Sequence, residues 1–285
     1  MKYLVLGCNG MLGHIVAAYL DQSGHDVSGL AKGRSKIVNT IISDATNIDK
    51  IKEVVCNGKW DAIINCIGLL NNNAEDHKSD AVFINSFLPH LLAKITSNTS
   101  TQIVQISTDC VFSGTKGNYH EYDLRDGETF YDRSKALGEL DDDKNITLRC
   151  SIVGPDMKEE GIGLLNWFMK QSGDINGYNK AIWTGQTTLQ LAKTIEFVTK
   201  NRITGIYNAV PDSSISKYDL LMIFNKYLRQ NRCHIIPNEK ISVNKSLVNT
   251  RKDIDFLIPE YDLMVAEMAL WINNHKEWYP HYFTE

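Results

Sequence analysis

Six short apolar runs mark out residues 1–153, with amphipathic stretches between most of them. The runs KYLVLG, HDVSGL, NTIISD, DAIINCIG, TQIVQIST and NITLRCSIVG are rich in strand formers. MLGHIVAAYLDQSG, IDKIKEVVCNG, SDAVFINSFLPHLLAKIT and YDRSKALGELDDD have helical spacing, with Pro89 interrupting the third. Alternation of this kind implies parallel strands joined by crossover helices on both sheet faces. The strand runs are mostly apolar rather than alternating, as expected when both faces are covered. An α/β fold follows: a doubly wound parallel Rossmann sheet over residues 1–153. Beyond Gly154 the rhythm loosens into helical GIGLLNWFMKQ, TTLQLAKTIEFVTK, SKYDLLMIFNKYLRQ and DLMVAEMALWINNH, with strand-like GIYNAV and CHIIP. These predict a smaller C-terminal substrate lobe over residues 154–285, its segments free to interleave with the sheet.

Composition narrows the class. With 285 residues, 43% of them hydrophobic, the chain can bury a large core. A net charge of -4 offers no basic surface for nucleic acid and no polybasic run for a membrane. No run is long and apolar enough for a transmembrane helix. Gly7, Asn9, Gly10 and His14 interrupt the N-terminal apolar stretch, which reads as strand, turn and helix rather than a signal peptide. The six cysteines form no C-x-x-C pair, which argues against a zinc ribbon or thioredoxin-type motif, and no metal is expected. Several lie in apolar runs, as small hydrophobes of a reducing, cytoplasmic setting.

The stretch GCNGMLG ends the first strand and opens the first helix, with glycines at Gly7, Gly10 and Gly13. Glycine there permits a tight turn and close approach of backbone N–H groups to a pyrophosphate. The helix N-terminus adds partial positive charge. An NAD site usually ends its second strand with an acid for the ribose. Here that strand runs into VSGLAKGRSK, with Lys32 and Arg34 in place of an acid, which favours the 2′-phosphate of NADP. Asp44, at the end of the third strand, suits either the adenine edge or a helix N-cap.

Tyr131 has a lysine four positions on, Lys135, which on a helix shares its face. A free tyrosine has a pKa of about 10, and a nearby ammonium would lower it towards use as a general acid–base unit. The pair begins the helix between the fifth and sixth strands, near the carboxyl ends of the strands where ligands bind in open α/β sheets. The fifth strand ends STDCVF, which puts Ser107 and Thr108 at the same edge as hydroxyl donors for a substrate carbonyl.

Together, GCNGMLG, the INCIG strand end, Asn85 in FINSFLPHLLA, STDCVF and YDRSKALGE resemble the extended branch of the short-chain dehydrogenase/reductase superfamily. The G-x-x-G-x-x-G spacing is that branch's own form of the glycine fingerprint. Within it, STDCVFSG, YHEYD, YDRSKALGE, WTGQTTLQLAKTI and GIYNAV resemble the dTDP-4-dehydrorhamnose reductase family. The resemblance implies an NADPH-dependent reductase of a nucleotide-activated 4-keto-6-deoxy sugar, with NADH as the alternative cofactor. Thr108 would polarise the keto oxygen, Tyr131 would donate its proton, and Lys135 would lower the tyrosine pKa and hold the nicotinamide ribose.

The same resemblance implies a cofactor site made of Gly7, Asn9, Gly10, Met11, Leu12, Gly13, Lys32, Arg34, Asp44, Ala45, Cys66, Ile67, Gly68, Asn85, Lys135, Cys150 and Ser151. Asn9 to Leu12 would hold the pyrophosphate, Cys66 to Gly68 the adenosine ribose, and Cys150 and Ser151 the nicotinamide. Thr108, Asp109, Cys110, Tyr131, Trp183 and Gln186 would meet the sugar nucleotide. Trp167, Trp183 and Tyr178 are candidates to stack on a base or sugar, with apolar packing the competing role for Trp167. The partners implied are a nucleotide sugar and a second copy of the chain in a homodimer.

Two departures stand out. The run RCSIVGPDM lacks the aromatic pair common after the sixth-strand arginine, and Asp132 follows the tyrosine where glycine is common. Two other readings stay open: an epimerase that recycles its hydride, and a regulatory subunit that binds nucleotide without chemistry.

Overall fold

A computed structural model describes residues 1–283. Six parallel strands follow the six apolar runs: β1 (Lys2–Leu6), β2 (Asp26–Ala31), β3 (Asn39–Ile42), β4 (Ala62–Asn65), β5 (Gln102–Ser107) and β6 (Ile146–Arg149). A seventh, β7 (Gly205–Asn208), comes from GIYNAV and pairs in parallel with β6. The order β7-β6-β5-β4-β1-β2-β3 makes one Rossmann-like parallel sheet. Its direction of winding reverses between β1 and β4. Gly7 and Cys66 follow those two strands, so both sit at the crevice the reversal opens.

The β1 side chains show why the strand runs are continuously apolar. Tyr3 and Val5 enter one core cluster while Leu4 and Leu6 enter the other, on opposite sheet faces. Helices cover both faces: α1 (Met11–Gln22), α2 (Ile48–Asn57), α3 (Leu88–Thr96), α4 (Phe130–Leu137), α5 (Leu164–Met169), α6 (Thr188–Lys200), α7 (Lys217–Leu228) and α8 (Tyr261–Asn274). Helix α6 packs against α1, and its Thr199 hydroxyl meets the Tyr3 hydroxyl at 2.8 Å. The chain beyond residue 153 thus supplies both a strand and a covering helix to the sheet.

Sequence periodicity differs from the structure in three places. NITLRCSIVG does not continue as one strand: after Cys150, Ser151–Val153 leaves the sheet and pairs with Gly185–Thr187. DINGYNKAIW lacks clean alternation, yet it forms the strand Asp174–Trp183, paired with His234–Asn244 and with Ile215–Ser216. The stretch around Pro89 widens into π-helical Val82–Phe87 before α3 begins. Proline has no N–H and its ring would collide with the carbonyl four residues back, that of Asn85, in a regular helix. The wide turn avoids that collision, and Gly138 lies so close that an added Cβ would fall 1.8 Å from the Asn85 oxygen.

Candidate active site

The glycine loop follows directly from steric demand. Gly7 adopts φ +78°, a region open to glycine, and a Cβ on Gly13 would lie 2.1 Å from the Gly7 oxygen. Gly10 caps α1 without a side-chain bond, and the first turn has no acidic residue. The early N–H groups of α1 therefore have no intrahelical partner and meet no negative charge. The Asn9 side chain donates to the carbonyls of Gly33 (2.9 Å) and Arg34 (3.3 Å), fixing the loop against the segment after β2. Free N–H groups at the start of this helix, with no acid in the first turn, suit an anion.

Lys32 pairs with Asp44 at 2.8 Å, and that contact with the Thr46 backbone bond holds the Asp44 carboxyl down near 2. Asp44 turns the chain through Thr46, whose N–H and hydroxyl both reach its Oδ1 at 2.9 Å. The N-cap of α2 is Asn47, so of the two roles open to Asp44 the cap is excluded. Ala45 is buried next to it.

Asn85, in the π turn, is buried and fully engaged: it accepts from Leu69 N–H and donates to the Leu69 carbonyl, each at 2.9 Å, and to Ser134 Oγ at 3.0 Å. It thereby ties the segment after β4, with Cys66, Ile67 and Gly68, to the helix that carries Tyr131. A Cβ on Gly68 would come within 3.9 Å of Lys135 Nζ.

Helix α4 starts with a reciprocal capping box. Thr129 Oγ1 accepts from Asp132 N–H at 3.1 Å, and Asp132 accepts from Thr129 N–H at 3.2 Å. Asp132 stands where a resemblance to the family expects glycine, and its work is to start this helix. Tyr131 follows the first helical residue, so its position is fixed by the cap. Burial pushes its phenol well above the ordinary value, Cys110 and Asp109 add to that, and a hydrogen bond with Thr108 opposes it. Thr108 donates its own proton to Asp109 Oδ1 at 3.1 Å and accepts from Cys110 N–H.

Lys135 is buried, and its ammonium donates to the Ile106 carbonyl at 2.7 Å. Burial brings its pKa down to about 8, against the pull of Glu139 and Cys66. Lys135 is not among the largest influences on Tyr131, where burial dominates. Ser107, also at this edge, is committed elsewhere: its hydroxyl donates to Glu139 at 2.7 Å. Glu139 in turn takes two bonds from buried Arg149, at 2.8 and 2.7 Å. Cys150 beyond it is buried and Ser151 half-buried.

Two expected substrate residues lie inside the protein. Gln186 donates to the Ala209 carbonyl and accepts from Thr194, both at 2.8 Å, so its amide is spent on the framework. Trp183 is buried, packed at 5.6 Å from the Tyr261 ring, with its other surface beneath a lysine. That lysine is Lys217, whose Nζ lies 4.6 Å from the Trp183 ring centre. Trp167 is substantially exposed and Tyr178 half-buried.

Lys217 is the residue that sequence reasoning missed. It opens α7 and faces the turn after β5, where Asp109 and Cys110 are the charges it feels most. Burial lowers its pKa to about 8 and raises that of Asp109. Lys217, Cys110 and Cys66 are each half-buried rather than sealed in the core. The KYDLL pattern at positions 217–221 offered only a helix; nothing local marks its first residue as facing another lobe.

Comparisons with known proteins agree with this architecture. The pattern of the RmlD substrate binding domain family matches residues 1–246. A probable low-salt glycan biosynthesis reductase of Haloferax volcanii is 30% identical over 143 residues, 49% of this chain and 48% of that protein. A dTDP-4-dehydrorhamnose reductase of Mycolicibacterium smegmatis is 30% identical over 141 residues, 48% of this chain and 40% of that protein. The chain thus spans about half the length of these curated relatives. A dTDP-4-dehydrorhamnose reductase of Aggregatibacter actinomycetemcomitans matches more fully, 26% identical over 90% of this chain and 86% of its own. The crystal structure of a Bacillus anthracis dTDP-4-dehydrorhamnose reductase in complex with NADP superposes with a TM-score of 0.79, covering 95% of this chain and 99% of that one at 20% identity. That likeness is one of fold. No helix among the described residues is long and apolar enough to cross a membrane.

Proposed function

We propose, from the premise that the chain belongs to the RmlD substrate binding domain family, that it is an NADPH-dependent reductase of a nucleotide-activated 4-keto-6-deoxy sugar, acting in cytoplasmic polysaccharide biosynthesis. The observation that carries this reading is the placement of Tyr131, buried at the start of α4, with Thr108, buried directly after β5, and with Lys135 one turn on. A bound NADPH would supply hydride to C4 of the sugar. The chain's own residues do the rest. The loop from Gly7 to Gly13 binds the pyrophosphate, and Lys32 and Arg34 meet the 2′-phosphate. Thr108 and Tyr131 receive the keto oxygen, and Tyr131 gives its proton as that oxygen gains negative charge. A phenol held above its ordinary pKa stays protonated through neutral pH, which suits an acid in the reducing direction. Lys135 anchors the floor of the site through the Ile106 carbonyl and offers its remaining N–H groups to a ribose.

Purified protein with NADPH and a panel of nucleotide 4-keto-6-deoxy sugars tests the reading. Oxidation of NADPH by at least one of them is expected, with Tyr131→Phe lowering kcat by about 10²–10⁴. Absence of turnover with every sugar, together with an unaltered Tyr131→Phe protein, would overturn it. Consumption of no net NADPH while the sugar changes stereochemistry would instead identify an epimerase.

A further inference from the structure

Beyond the family's matched residues, which end at 246, the chain continues into α8 and an aromatic tail. That tail reaches back to the glycine loop. His14, one turn into α1, and Tyr279 are both fully buried. His14 Nδ1 lies 2.9 Å from the Gly10 carbonyl, and Nε2 lies 2.8 Å from the Tyr279 hydroxyl. Trp271 Nε1 donates to the same hydroxyl at 3.3 Å. The chemistry assigns every proton. A carbonyl only accepts, so Nδ1 carries the imidazole proton. Burial keeps the ring neutral, so Nε2 accepts and Tyr279 donates to it, leaving its oxygen to receive the indole N–H.

The next aromatic in the tail holds the other side of the cleft. The Tyr282 ring stacks on that of Tyr279, centres 5.8 Å apart, and its hydroxyl accepts from Asp156 N–H at 3.0 Å. Asp156 follows shortly after Cys150 and Ser151, the segment expected beside the nicotinamide. His281 lies 3.3 Å from Asn166 Oδ1, while Asn166 donates to the carbonyls of Glu159 and Gly161. A Cβ on Gly163 would stand 2.9 Å from Met11 Sδ, so this segment also presses on the glycine loop itself.

We propose that residues 271–282 form a clasp in which Tyr279 and Tyr282 are positioning residues for the dinucleotide, Tyr279 fixing the pyrophosphate loop through His14 and Tyr282 fixing the facing 154–163 segment. This rests on the reading of GCNGMLG as the dinucleotide cradle. Neither hydroxyl touches the cofactor. Each holds backbone in the form the ligand needs, so the ordering is present before binding rather than imposed by it.

The test is NADPH affinity, by fluorescence titration of the full chain, in Tyr279→Phe and Tyr282→Phe. Each keeps its ring and loses one hydroxyl. Tyr279→Phe leaves His14 Nε2 and the Trp271 N–H without their partner, and about a tenfold rise in NADPH Kd is expected. Tyr282→Phe is expected to raise Kd by about threefold to tenfold. In turnover assays the loss is expected in KM for NADPH more than in kcat. Amide exchange is expected to quicken at residues 11–14 in the first variant and at 156–161 in the second. Unchanged affinity and exchange in the folded variants would overturn the clasp alone. A wild-type chain that binds no dinucleotide would overturn the cradle reading and the clasp with it. Should Tyr279→Phe fail to fold, Tyr282→Phe, nearer the surface, decides.

Discussion

Glu139 and Arg149 are buried and their charges are met in full. Arg149 gives two bonds to Glu139, a third to the Glu121 carbonyl and a fourth to Asn208 Oδ1, and Glu139 also receives Ser107 and Arg125. Asp109, Lys135 and Lys217 are treated otherwise. Lys135 has one carbonyl, and Lys217 lies over an indole ring, influenced by Asp109 but without an ion pair within 4 Å among the described residues. Burial therefore works against all three charges. A paired buried charge locks the strands together; an unpaired one is held at a cost to folding and stays available to a ligand. The first group carries the architecture; under the proposed function the second is left for the ligands.

The contrast can be broken in order of effect. Arg149→Leu leaves Glu139 buried without its partner and should cost about 3–5 kcal/mol in denaturant unfolding. A loss below about 1 kcal/mol would dissolve the distinction.

His14 tests burial without charge. Its pKa falls from 6.5 to about 4, chiefly by burial, with Asp156 opposing and His275 reinforcing. As pH falls, the unfolded chain therefore takes up this proton first. Stability is lost between about pH 6.5 and 4, by roughly 3 kcal/mol, and the loss levels off below that window. Thermal melts of the wild type and His14→Gln across that range should show the component vanish in the variant.

Lys217→Met should act in the opposite sense to Arg149→Leu. The expectation is a melting temperature equal to or above wild type, with KM for the keto sugar raised about tenfold. A clear loss of stability would place Lys217 with the structural charges.

The smallest effect belongs to the surface. Lys32→Ala should narrow the preference for NADPH over NADH by roughly three- to fivefold, since an exposed ammonium contributes under about 1 kcal/mol. An unchanged preference would leave Arg34 as the cation that matters.

Much of the site was legible because it is local. GCNGMLG shows its turn in its glycines, STDCVF ends a strand, and Tyr131 and Lys135 share a helix face by spacing alone. Even Asp132, a departure from the family, is intelligible locally once Thr129 is recognised as its capping partner. Gln186 misled for the converse reason. A polar residue beside WTG looks available, and only the arrival of Ala209 and Thr194 shows both ends of its amide taken.

The sequence by itself determined the parallel sheet, its covered faces, the glycine turn into α1, and the places of Thr108 after β5 and of Tyr131 and Lys135 one turn apart on α4. Each is written in periodicity or in spacing within one element, and short-range sterics and hydrogen bonding enforce it. Only the tertiary structure decided which buried charges are paired, that Lys217 lies over Trp183, and that Tyr279 reaches His14 across 265 positions of chain. Those outcomes depend on how helices from the second half dock on the sheet. Docking is set by the summed packing of many apolar side chains, and no short stretch of sequence carries that sum.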